Sequence, residues 1–130
     1  MLNIGWFSTG RGEGSRGLLS FVQQRLTETG ADARIDFVFS NREQGEAEGS
    51  NEFFKLVEGY RIPLITHSSS AFRKAVGGRF SSHRDEFDQQ VMDKLAGRDV
   101  DVCVLAGYML IVGGKMCRQY PLLNLHPALP

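Results

Sequence analysis

The chain has no charge of one sign to spare: fifteen basic and fifteen acidic side chains cancel to a formal charge of zero. A neutral protein has no global field to draw it onto nucleic acid or an anionic membrane, so any anion site must be built locally. Cysteine is scarce too. Cys103 and Cys117 are the only two, too few for the disulfide frameworks that staple small secreted domains, and both read as reduced core thiols. No stretch approaches the roughly 20 apolar residues that a membrane span needs. Residues 2–8 are apolar, but they run into glycines with no basic head before them, so they do not read as a secretion signal. Cytoplasm is the expected compartment. His67, His83 and His126 are too far apart to give metal-ligand spacing, and no metal is expected.

What the chain does have is an ordinary globular composition, 42% hydrophobic and 23% charged over 130 residues. That is one domain's worth of sequence, able to bury one core. Short apolar runs at 2–8, 34–39, 62–66, 100–106 and 121–125 are expected as strands. Between them, 18–29 places Leu18, Leu19, Phe21, Val22 and Leu26 on one helical face, and Gly30 is a natural stop. Further helices are expected at 52–58, 83–96 and 113–119. The stretch 42–51 reads as a loop running into a helix, and the Ser- and Gly-rich stretch 68–82 as a mobile loop. Alternating strands and helices imply an α/β fold, a Rossmann-like doubly wound parallel sheet with helices on both faces. No solenoid repeat, linker or second domain is visible.

Two motifs carry chemistry. Gly12, Gly14 and Gly17 satisfy G-x-G-x-x-G directly after the first strand and before a helix. Glycines let the backbone turn and approach a phosphate, and the helix N-terminus offers free N–H groups and partial positive charge; Ser15 and Arg16 add donors. The dinucleotide version of this motif also needs an acid at the end of the second strand. Phe39, Ser40 and Asn41 occupy that place and Asp36 falls too early, so a single phosphate fits better than NAD. The second motif is Asn124-Leu125-His126-Pro127. Residues two apart in a strand share a face, so Asn124 and His126 project together from the carboxyl end of a parallel strand, where open α/β sheets place their sites. An amide that can bond an oxyanion beside an imidazole that can move a proton suits acyl transfer.

The order of these pieces, a strand, a glycine-serine loop, VFSN at 38–41, VLAGYM at 104–109 and NLHPALP at 124–130, resembles the phosphoribosylglycinamide (glycinamide ribonucleotide) formyltransferases. The resemblance covers essentially the whole chain; NLHP after a VLAGYM strand is specific, and the glycine loop alone is not. It implies the N-terminal, nucleotide-binding part of that fold over residues 1–130, with the family's C-terminal part absent. It implies formyl transfer from the co-substrate 10-formyltetrahydrofolate to the amino group of glycinamide ribonucleotide, a step of purine synthesis. On this resemblance Gly12, Glu13, Gly14, Ser15 and Arg16 hold the substrate phosphate, and Gly107 approaches the ribonucleotide. Tyr108, Met109, Leu110, Ile111 and Val112 line the folate slot, Arg84 faces the folate side of the cleft, and Asn124 and His126 are catalytic. The partners implied are small-molecule substrates and, beyond them, at most a second copy of the chain.

The chain also departs from the family. The phosphate loop reads Gly-Glu-Gly-Ser-Arg where Gly-Asn-Gly-Ser-Asn is usual, with extra residues before it. Leu110 stands where an arginine often follows the aromatic-Met pair. The run after the histidine is one residue shorter before its second proline. The family's catalytic aspartate falls past residue 130. Three other readings stand beside the first. Formyltetrahydrofolate deformylase, a hydrolase of the same superfamily, usually has a regulatory domain before the first strand and His-His rather than His-Pro. Methionyl-tRNA formyltransferase should show a basic face and a tRNA domain. A non-catalytic nucleotide-binding module needs no aspartate.

Overall fold

The computed structural model describes residues 1–125. It alternates β1 (Leu2–Phe7), α1 (Glu13–Thr29), β2 (Ala33–Ser40), α2 (Glu48–Gly59), β3 (Leu64–Thr66) and α3 (Ser69–Val76). After a 3-10 turn at Phe80–His83 come α4 (Arg84–Lys94), β4 (Val102–Ala106), α5 (Gly114–Gln119) and β5 (Leu122–Leu125). The five strands form one sheet in the order β3-β2-β1-β4-β5, and every pairing is parallel. This is the Rossmann-like sheet expected from the alternation. The strand order reverses direction at β1, the point at which an open α/β sheet leaves a crevice at the carboxyl ends of its strands.

The helices divide between the two faces. Ile4, Trp6, Ile35, Val38, Val104 and Ala106 face α1 and α2, where they meet Leu19, Phe53, Phe54 and Val57. Phe7, Phe37, Phe39 and Cys103 face the other way, onto Phe72, Phe87, Val91, Met92 and Met116. In a regular strand Ile35, Phe37 and Phe39 would share a face. They do not, because the β1–β2 register slips between Ile4 and Gly5: Ile4 pairs with Ile35, but Gly5 pairs with Phe37. Asp36 is the extra residue of this bulge. Its carboxylate, mostly covered, takes ion pairs from Arg34 (3.2 Å) and Arg98 (3.3 Å). That end of the sheet lies away from the crevice, so Asp36 has a local structural use.

Several expected boundaries move. Residues 68–82, expected as a mobile loop, contain α3 and the 3-10 turn. Ser68 caps α3 by accepting a hydrogen bond from the Ala71 amide at 3.0 Å, and Phe72 anchors it in the core. The serine richness that suggested a loop is an N-cap signal. The helix expected from residue 18 begins at Glu13, so Gly14, Ser15, Arg16 and Gly17 lie inside its first turns. Gly30 closes α1 in the left-handed conformation (φ 64°), as expected. Cys103 is buried, and burial pushes its thiol pKa up to about 12. Cys117 is exposed on α5, which corrects its reading as a core thiol: α5 is a single short helix whose buried residue is Met116.

Gly5 marks the tightest point of the sheet. A Cβ there would stand 2.6 Å from the Phe37 ring and 3.3 Å from Cys103 Sγ. Both neighbours are fully buried, so neither can step aside. Gly5→Ala is expected to destabilise the fold by about 1–3 kcal/mol through overpacking. Denaturant unfolding monitored by the buried Trp6 measures it, and an unchanged midpoint would show that Phe37 can relax.

Candidate active site

At the carboxyl ends of β1, β4 and β5 lies a cleft of about 1080 Å³, lined by Arg11, Gly12, Gly14 and Ser15 on one side and by residues 107–112 and Asn124 on the other. Each wall follows from local sequence. Gly12 is the N-cap of α1, in extended conformation, and no side chain caps the helix. The first-turn N–H groups are therefore free toward the cleft, the arrangement that suits an anion. A Cβ built on Gly12 or on Gly14 meets nothing within 4 Å. The fold does not require glycine at either position; close approach by a ligand would.

Gly107 ends β4 with φ +69°, and a Cβ there would lie 2.7 Å from Ser15 Oγ. Glycine lets the two walls touch. Beyond it, alternate residues separate: Tyr108, Leu110 and Val112 pack toward the aromatic core, while Met109 and Ile111 are each 68% exposed. The Tyr108 ring meets Phe7 edge-on (5.5 Å between centroids). Burial, with the nearby Asp88 charge, raises its hydroxyl pKa. Tyr108 is thus anchored in the core, and Met109 and Ile111 are the apolar side chains offered to solvent at this wall.

A buried polar chain fixes these loops to the sheet. The Thr9 hydroxyl donates to Asn41 Oδ1 at 2.8 Å and accepts from the Met109 amide at 2.9 Å. The Asn41 amide donates to Ser69 Oγ at 3.0 Å. Thr9 and Asn41 are essentially inaccessible to solvent, so each unmade bond would leave a costly buried polar group. Asn41, at the strand end where a ribose-binding acid would sit in a dinucleotide fold, is occupied structurally.

Among the residues expected at the site, the structure brings together Gly12, Gly14, Ser15, Gly107, Tyr108, Met109, Leu110, Ile111, Val112 and Asn124. Asn124 is exposed on β5, in register with Leu105. His126 lies outside the described residues. Glu13, Arg16 and Arg84 are not on the cleft wall. The Arg16 guanidinium turns toward the Gly49 carbonyl (3.4 Å), because Arg16 lies within α1 on the side facing α2. Arg84 opens α4 with its Nε buried and unbonded, close enough to Asp88 for its charge to lower the Asp88 pKa. Arg11 and Cys117 line the cleft and were not expected there. The signal for Arg11 was a basic residue directly before the first glycine of the motif; for Cys117 there was none. Among the described residues, no group of three or more His, Cys, Asp or Glu could hold a metal ion, and no helix is long and apolar enough to cross a membrane.

The contact between Gly107 and Ser15 is testable on stability. Gly107→Ala would place a Cβ in the left-handed region at a strain of roughly 1–2 kcal/mol and also push against Ser15. The melting temperature should fall and the cleft should open. A variant as stable as the wild type would remove the constraint.

A family model described as formyl transferase matches residues 11–130. No curated relative matches the chain. Among solved structures, glycinamide ribonucleotide transformylase 1 of Symbiobacterium toebii is 25% identical with a TM-score of 0.70, covering 97% of this chain and 51% of its own. Phosphoribosylglycinamide formyltransferase of Coxiella burnetii shares the fold at 24% identity and a TM-score of 0.63, over 96% of this chain and 51% of its own. A formyltetrahydrofolate deformylase of Pseudomonas syringae does so at 21% and 0.62, over 96% and 35%. The chain thus spans about half the length of these transformylases. With a parallel five-stranded sheet, an uncapped helix starting after Gly12 at its switch point and a family match over nearly all its residues, the chain belongs to the formyl transferase family, whose N-terminal domain it carries.

Proposed function

We propose that these residues form the nucleotide-binding part of an enzyme that moves a formyl group from 10-formyltetrahydrofolate to the amino group of glycinamide ribonucleotide. One observation carries the reading: a single cleft joins the uncapped start of α1 to the 107–112 wall and to Asn124. A phosphate fits the first, an apolar ring system fits Met109 and Ile111, and the reacting atoms then fall near Asn124. In this reading the N–H groups after Gly12 hold the ribonucleotide phosphate, with Ser15 and Arg11 adding donors. The side chains of Glu13 and Arg16, which do not line the cleft, act at most indirectly.

Asn124 donates its side-chain N–H to the formyl oxygen as that oxygen gains negative charge under attack by the amine. His126, two residues on, takes the proton that the amine gives up and returns it to the folate nitrogen whose bond to the formyl carbon breaks. The carboxylate that orients His126 is expected beyond residue 130. The folate supplies the formyl group; the chain supplies orientation, charge stabilisation and proton movement.

The deformylase reading differs in the acceptor, which is water. The Pseudomonas syringae neighbour keeps that reading in view, and Pro127 after His126 favours the transferase. The two are separated by following formate release from 10-formyltetrahydrofolate with and without glycinamide ribonucleotide. Formate released at the same rate in both would make the protein a hydrolase.

Two outcomes are expected. Gly14→Val should leave the melting temperature nearly unchanged and abolish ribonucleotide binding in calorimetry, since the new side chain occupies the space reserved for phosphate; equal affinity for wild type and variant would move the phosphate elsewhere. In the active protein carrying these residues, Asn124→Ala and His126→Ala should each lower formyl transfer by on the order of 100-fold, with little loss of ribonucleotide affinity, because both act on charge that develops only in the transition state. Wild-type rates for either variant would take that residue out of the mechanism.

A further inference from the structure

Residues 107–112 form one wall of the cleft, and α4 holds the next residue, Gly113. Asp88 lies one turn into α4 and is only 3% exposed. Its carboxylate accepts a hydrogen bond from the Gly113 amide at 2.7 Å. Gly113 is pressed against that carboxylate: a Cβ on Gly113 would collide with Asp85 Oδ1 and stand 3.1 Å from Asp88 Oδ2. Two further polar atoms are buried here without partners, Arg84 Nε and the Tyr108 hydroxyl. Asp88 acts on both of their residues electrostatically: its charge adds to burial in raising the Tyr108 pKa, and it feels the Arg84 charge in turn. Burial is the main influence on Asp88 itself and raises its pKa; the Gly113 bond opposes that, Asp85 adds to it and Arg84 opposes it.

A helix does not need a buried carboxylate for its own stability, and burying one is unfavourable. An apolar residue at position 88 would fill the same buried space without that penalty. What the carboxylate achieves that an apolar residue cannot is to hold the Gly113 N–H. The loop is then fixed at both ends, by Thr9 at Met109 (2.9 Å) and by Asp88 at Gly113. The residues between, Leu110 to Val112, are those whose side chains alternate between core and cleft.

We infer that Asp88 is a positioning residue: through the Gly113 amide it sets the backbone path of residues 110–113, and so the placement of the apolar wall formed by Met109 and Ile111. It touches no substrate. For catalysis the inference rests on the folate reading of that wall; for loop geometry it stands alone. Arg84 then contributes by balancing the Asp88 charge from the α4 side.

The test uses the whole chain with three substitutions: Asp88→Ala, Asp88→Asn and Gly113→Ala. Amide hydrogen exchange is read at residues 107–113, and calorimetry is run with tetrahydrofolate and, separately, with inorganic phosphate. Asp88→Ala removes one charge-assisted hydrogen bond, so exchange at Gly113 should accelerate about tenfold or more and tetrahydrofolate affinity should fall about tenfold. Phosphate affinity should hold. Asp88→Asn keeps an acceptor oxygen and should restore both. Gly113→Ala displaces the carboxylates from the other side and should reproduce the alanine effect with Asp88 intact, which keeps the test open if Asp88→Ala fails to fold. Unchanged Gly113 exchange in both alanine variants would overturn the inference. So would faster exchange with unaltered tetrahydrofolate affinity. If the wild type itself binds no tetrahydrofolate, the folate reading fails, and the exchange data still decide whether Asp88 positions the loop.

Discussion

The hydrogen bond between Thr9 and Asn41 is the point on which the cleft depends. It joins the ends of β1 and β2 at the switch point of the sheet, and through the same hydroxyl it holds the Met109 amide after β4. Asn41 extends the chain to Ser69 at the start of α3. Three loops that are far apart in sequence are thereby referred to one hydroxyl group. Because both side chains are buried, losing either partner exposes no water to replace it, and the penalty falls on the whole carboxyl edge of the sheet. The crevice of an open α/β sheet is often described as a gap left by topology. Here the loops at its rim are also tied together by specific bonds.

The fold was largely legible in the chain because its strands are strongly apolar and its glycines stand at their ends. VDVCVLA followed by Gly107 marks β4, and Gly30 marks the close of α1. The parts that were not legible share a physical cause: side chains whose role is decided by a distant partner. Ser68 and Ser69 read as loop because their helix is short and is held by Phe72 in the core and by Asn41 just after β2. Gly14 and Gly17 read as loop because glycine disfavours helix, yet the core contacts of Leu19 carry the helix back over them. Of the site, the cleft wall was readable from the VLAGYM run and the glycine loop. The orientation of Arg16 and Arg84 was not, since a long side chain near a site can turn either way. Asp88 left no trace as a positioning residue: a carboxylate in a charged helix gives no hint that it is buried.

Tyr108 shows how one segment serves both the core and the site. Its ring completes an aromatic group with Phe7, Phe37 and Phe39, and its backbone runs along the cleft. The alternation that follows, inward at 108, 110 and 112 and outward at 109 and 111, is strand-like although no strand among the described residues pairs with it. The inward side chains hold the segment against the core in place of a ladder of hydrogen bonds. Leu110 belongs to the inward set, so an arginine at that position would have to leave the core or redirect the loop.

The bulge at Asp36 has a consequence for how relatives of this chain should be compared. It changes the parity of β2 halfway along: Ile35 faces one layer of helices, and Phe37 and Phe39 face the other. A related strand without the extra residue would keep a single parity throughout. Aligning the two without a gap at position 36 would match each core residue of one half-strand to a residue of the opposite face in the other. Substitutions between them would then look like exchanges within one core when they belong to two. Against a relative that is about a quarter identical, a one-residue shift of this kind is enough to scramble the apparent covariation of the sheet while leaving its geometry intact.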